Sequence, residues 1–240
     1  GGYSFAIGNY SHAEGHTGFA SGESSHAEGE QTMATGNSSH TEGEGTTASG
    51  VCSHAEGDHT TASGGAAHAE GQGVTASGNC SHAEGDSTIA SGKSSHAEGM
   101  DTKALGDYSH AEGGISTASG MLSHAQGYNT IAAGEYQHVE GKCNIKDTAN
   151  KYAHIIGNGT DTNRSNALTV DWDGNLWVKG DIKCGGNNYD GAEGNSIIIN
   201  YTKGSTKADY ETDATAYVGD LNFDVTKFIF FTTYCNITDK

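Results

Sequence analysis

The sequence predicts an all-β fold, a parallel β-roll or solenoid with fourteen-residue coils, and three observations carry that prediction. Glycine recurs every seven residues from Gly8 to Gly141 without a miss. Histidine recurs every fourteen, at His12, His26, His40, His54, His68, His82, His96, His110, His124 and His138. Between these markers the residues alternate with a period of two, the rhythm of a strand, and the 3.6-residue apolar rhythm of a helix is missing. Strict periodicity also overrides the composition: 33% apolar residues and a net charge of −18 would otherwise read as disorder.

Each coil has two unequal halves. One reads Ser-His-Ala-Glu-Gly, as at residues 25–29, 81–85 and 95–99; the other reads Thr-x-Ala-Ser-Gly, as at 46–50, 60–64 and 88–92. In the first half Ser, Ala and Gly point one way and His and Glu the other. In the second, Thr, Ala and Gly share a face opposite the variable residue and Ser. The small residues are common to both halves, so they face the tight interior. The glycines end each strand where the chain turns, at φ values that side chains resist. Stacking pairs each strand with its neighbours about 4.8 Å above and below, so ten coils make a rod on the order of 50 Å long. An interior of Ala, Ser, Thr and Gly is thin at ~25 cal/mol per Å² buried. Association with identical chains is the natural remedy.

The outward pair forms two columns. Beside the ten histidines stand Glu14, Glu28, Glu42, Glu56, Glu70, Glu84, Glu98, Glu112 and Glu140, with Gln126 in the remaining rung. We take this ladder as the seam between subunits. If the histidines are charged against Glu, their folded pKa values lie above ~6.5, and their stabilisation is lost as pH rises through them. Two other uses carry less weight: ligation of Zn or Ni by symmetry-related histidines near a threefold axis, and an exposed ligand-binding stripe. The sequence assigns no metal, no cofactor and no catalytic residue, because ten equivalent histidines cannot each be a unique, tuned acid or base. A Thr ladder for ice binding is set aside, since Thr32, Thr46, Thr60, Thr88 and Thr102 lie on the small-residue face.

Residues 1–141 carry 17 acidic residues against Lys93 and Lys103. Such a surface repels nucleic acid and anionic lipid. No apolar run reaches the 18 residues of a membrane span, so no membrane insertion is expected. Gly1 is already in register, so the chain reads as a fragment of a longer one. Cys52, Cys80, Cys143, Cys184 and Cys235 show no metal spacing, and their odd number argues against a full disulfide framework.

The Ser-x-Ala-x-Gly units with a fourteen-residue period resemble the head repeats of trimeric autotransporter adhesins, the YadA-type left-handed parallel β-roll, over residues 8–141. Left-handed coiling and assembly as a homotrimer are what this resemblance implies. In this chain His and Glu occupy the positions where those repeats carry apolar residues.

The register breaks after Gly141, and both tryptophans with 12 of the 19 aromatic residues lie beyond it. We expect a transition segment over 142–185 and a β-rich tip or cap over 186–240. In the first, residues 167–172 and 176–179 form a hairpin about Asp173-Gly174-Asn175; in the second, strands are expected at 196–202 and 227–234. Residues 152–184 resemble a segment of tail and appendage proteins from phages of Gram-positive bacteria, where it follows Ser-His-Ala-Glu-Gly repeats.

Together these resemblances imply a tail-fibre or tail-tip component acting as a trimeric spacer in host attachment. Its partners would be other tail proteins and a host cell-surface receptor or glycan reached through residues 186–240. A bacterial cell-surface adhesin is the alternative, and a tail-associated polysaccharide hydrolase the third reading. The hydrolase needs a carboxylate pair, and Asp171, Asp173 and Asp190 read more simply as turn residues. His154 reads as a core or interface histidine.

Overall fold

Two sheets, each turning a column of buried alanines towards the other, make the rod. The computed structural model describes residues 2–180, and among them every regular element is a strand. The first sheet has ten two-residue strands, from Phe5–Ala6 and Phe19–Ala20 to Ile131–Ala132, all parallel and in order. The second runs from His12–Ala13 through His40–Glu44 and its successors to His138–Lys142, also parallel, and each histidine pairs with the next. The solenoid has about eleven turns.

The alternation predicts which side chains turn inward. Ala20, Ala27, Ala34, Ala48, Ala55 and their successors are fully buried, as are Thr32, Thr46, Thr60, Thr88 and Thr102. These five threonines therefore pack the interior. The serines before His26, His40, His54, His96, His110 and His124 are buried at a corner, and each hydroxyl is satisfied locally, whereas buried Ser81 Oγ has no partner. Ser25 Oγ donates to Gly22 O at 2.8 Å, and Ser53 repeats the bond with Gly50 O at 2.8 Å.

The glycines differ from expectation. Those after Ala-Glu, such as Gly57 and Gly85, have φ of +105° and +109°. Those after Ala-Ser do not. At Gly78 the constraint is contact, since an added Cβ would overlap the carbonyl oxygen of Gly92 in the next coil. The left-handed corners fall two residues further on, mostly at residues with side chains. Cys52, Ala66, Cys80, Leu122 and Tyr136 all have φ between +53° and +58°. What holds them there is stacking: the Cys52 amide donates to Asn37 O at 2.8 Å and Ala66 to Val51 O at 2.7 Å, one coil back. Cys52 and Cys80 are exposed free thiols and Cys143 is a buried one; Cys184 and Cys235 lie outside the described residues.

Parallel stacking does not stop at Gly141. Strand Tyr152–Asn158 pairs in parallel with His138–Lys142, aligning His138 with His154 and Gly141 with Gly157. Asn166–Asp171 and Leu176–Val178 then add antiparallel to the same sheet. The turn between them uses Gly174 at φ +84°, and the Asp171 carboxylate accepts from the amides of Asp173 and Asn175 at 3.1 and 2.8 Å. That is the turn role expected of Asp171.

The first sheet ends differently. At its last strand, Ile131 N donates to Asn144 Oδ1 at 2.7 Å and Ile131 O accepts from Asn144 Nδ2 at 3.0 Å. One buried side-chain amide thus replaces the peptide of the missing coil. Buried Gln137 acts similarly: its Oε1 accepts from Ala133 N at 3.0 Å, and its Nε2 donates to Tyr152 O at 2.9 Å and Asp147 Oδ2 at 3.1 Å. The expected strands at 196–202 and 227–234, together with Asp190, lie outside the described residues.

Candidate functional site

The histidine and the glutamate of each coil occupy the first and third positions of one strand, so both leave the sheet on its outer face. The coil rise then sets everything else. From His26 to His154 successive imidazoles stack with centroids 4.7–4.9 Å apart and planes within 8° of parallel. His12, with no regular coil above it, is exposed and tilts 20° from His26. All ten predicted histidines are brought into one column, and nine of the ten companion positions follow Glu28 to Glu140 beside it as half-buried side chains, Glu14 being exposed.

His154 is an eleventh rung that the periodicity misses. It follows His138 by sixteen residues instead of fourteen, because the connection carries two extra residues. The pattern His-Ile-Ile-Gly at 154–157, against His-Val-Glu-Gly at 138–141, was the available signal.

Within one chain the two columns approach without hydrogen bonding. His68 Nε2 lies 3.8 Å from Glu56 Oε1 and 3.7 Å from Glu70 Oε2, between carboxylates of successive coils. The corresponding separations are 3.5 Å for His96 and Glu84, 3.6 Å for His110 and Glu98, and 3.3 Å for His124 and Glu112. The Nε2 atoms of these residues are buried and have no hydrogen-bond partner. The exception in the acidic column is Gln126, whose Nε2 donates to Glu140 Oε2 at 3.0 Å.

At four rungs the electrostatics run against the charged-pair expectation. Burial holds the imidazoles of His54, His82, His110 and His138 below their ordinary value, and the neighbouring histidines push in the same direction. The attraction of Glu is the smaller effect, so folding favours the neutral ring. The carboxyl groups share protons along their own column. Hydrogen bonds to Glu42 and Glu70 raise Glu56 to about 7, and bonds with Glu56 and Glu28 lower Glu42. Glu98 is raised mainly by its bond to Glu84, which is itself lowered. Carboxylates stacked at the coil spacing cannot all ionise at once.

Next to the glutamates, the glycines leave a groove of about 990 Å³ running along the coils from Glu14 and Gly15 to Glu98 and Gly99. No set of side chains here is unique to one rung, which is the arrangement of a repeating surface and not of a single reactive centre.

Residues 27–51, 55–79 and 83–109 match the family model described as YadA head domain repeat (2 copies). No curated protein matches the chain. The repeat family and the solenoid are those of a structural or adhesive protein. Fourteen-residue periodicity, parallel sheets and matched segments coincide over residues 27–109, and in that stretch the coils are similar to YadA-type head repeats.

Proposed function

We propose that the chain is the rigid part of a homotrimeric attachment fibre, with the histidine–glutamate face as the seam between its subunits. The observation that carries this reading is the uninterrupted parallel stack of coils, three segments of which match YadA-type head repeats. Two further features support it. The interior is a file of alanines with Ser and Thr, a small apolar core for so long a rod. The ladder is a flat strip of fixed pitch whose buried nitrogens lack partners, and a second copy of the same pitch meets it rung for rung.

In this reading residues 1–141 are the rod, 142–185 the transition, and 186–240 the part that contacts a host receptor or glycan. The carrier we favour is a phage tail, on the resemblance of residues 152–184 to tail and appendage proteins. The matched repeats favour a second carrier, the surface of a bacterial cell. Sedimentation equilibrium tests the assembly: a trimer has three times the 24.7 kDa of the chain, and a monomer at micromolar concentration overturns it. Antibodies raised against the rod separate the carriers. Labelling of purified virion tails supports the first, and labelling of phage-free cells supports the second.

A further inference from the structure

We propose that the histidine–glutamate ladder binds divalent transition-metal ions, each held between successive coils by imidazole nitrogens and carboxylate oxygens of one chain. The donor atoms are already gathered. His54, Glu56 and His68 form one such group, His68, Glu70 and His82 another, and Glu98, His110 and Glu112 a third, with the ligand atoms in each lying within 4.8 Å of one another.

The separations point to a shared ion rather than to hydrogen bonds. At 3.3–4.0 Å the Nε2–carboxylate contacts are long for N–H···O bonds. For metal bonds of about 2.0–2.1 Å, however, the edge of a coordination tetrahedron is roughly 3.3–3.4 Å. One nitrogen and one oxygen donor at the shorter of these contacts therefore stand near the spacing of two ligands on one ion, and a second imidazole, stacked 4.8–4.9 Å from the first, has to tilt inward to join them. The Nε2 atoms beside the carboxylates are buried and unpartnered in every coil from His26 to His154, and such atoms call for a partner that a single chain does not supply.

Charge and donor type narrow the ligand. Residues 1–141 hold 17 acidic groups against two lysines, so a divalent ion relieves crowding along the glutamate column. Mixed imidazole and carboxylate donors suit Zn, Ni, Co or Cu, whereas Ca and Mg take oxygen shells. Two of the five convergent groups share His68 and two share Glu98, so at most three can be filled without a common ligand. Each has three protein donors and leaves a position for water or for a donor from a neighbouring chain.

The test uses the full chain, free of any affinity tag, stripped with EDTA and dialysed against micromolar ZnCl2. Elemental analysis should find one to three zinc ions per chain, and the variant His54→Gln/His68→Gln/His82→Gln should retain at least one fewer. Unchanged zinc content in a variant with the wild-type circular dichroism spectrum would overturn the proposal. So would zinc below one ion per chain in the parent. Should the variant fail to fold, electron paramagnetic resonance of the parent loaded with Cu2+ decides the matter. Nitrogen hyperfine splitting supports ligation by the ladder, and an oxygen-only spectrum refutes it. Because each group lies within one chain, a negative result here leaves the trimer standing, and a monomeric mass leaves the metal sites standing.

Discussion

The rod and the segment that closes it, residues 142–180, solve the same problem by opposite means. In the rod every strand finds its hydrogen-bond partners in an identical strand above or below, so a residue type is specified once and reused. At the end the next coil is absent, and the exposed edge of the first sheet is satisfied by individual side chains: Asn144 for Ile131, and Gln137 for Ala133. Arg164 adds to this closure, with Nη1 donating to Asn129 O at 2.9 Å and Asn144 O at 3.1 Å. Repetition stabilises through backbone contact and tolerates variation outside it; termination depends on a few irreplaceable polar groups.

The difference can be broken at either end. The largest effect is expected from Gly78→Ala, because its new Cβ would overlap the Gly92 carbonyl and neither backbone can withdraw without unstacking the coil. A loss of at least about 3 kcal/mol, read by chemical denaturation, is expected. A loss under 1 kcal/mol would mean the coils are looser than close stacking requires. Asn144→Ala should come next, at about 2–3 kcal/mol, since it strands the N–H and C=O of Ile131 in a covered site. The contrasting change in the rod is Asn79→Ala, which removes only an exposed bond to Gly65 N and should cost about 0.5 kcal/mol. Equal effects for the two asparagines would erase the distinction between rod and cap.

The smallest effect concerns pH, measured with EDTA present. The folded pKa values of His54, His82, His110 and His138 lie below the unfolded 6.5. Their contribution is therefore intact above about 6.5 and is lost as pH falls from there towards the folded values. Glu56 acts in the opposite sense: raised to about 7, it favours the fold below its ordinary 4.5 and loses that contribution as pH rises towards 7. The parent should thus show a shallow profile between pH 5 and 7. Replacing Glu28, Glu56 and Glu98 with Gln removes the opposing carboxyls and should expose a steeper loss on acidification. A rise in melting temperature below pH 6.5 in that variant would restore the charged-histidine reading.

The parts legible in the sequence were those that repetition writes many times over. The coil length, the two strand faces and the histidine column all follow from spacing, because a period-two strand in a fourteen-residue coil admits one inward set. What escaped was local. His154 was hidden by two additional residues in its connection. The left-handed corners were hidden because Cys52, Leu122 and Tyr136 carry no conformational mark in a sequence; coil-to-coil amide bonds impose the geometry on whatever residue stands there. The sign of the histidine electrostatics was hidden too, since adjacency to Glu was readable and burial was not.

The equivalence of the coils has a consequence for evolution. The backbone bonds of each coil in the middle of the rod repeat those of its neighbours, so a coil can be gained or lost by duplication or deletion of fourteen residues without re-solving the fold. Each such event changes the reach of the rod by about 4.8 Å and leaves its two ends intact. In the proposed attachment fibre the sequence would thereby work as a ruler, with reach tuned by copy number instead of by redesign.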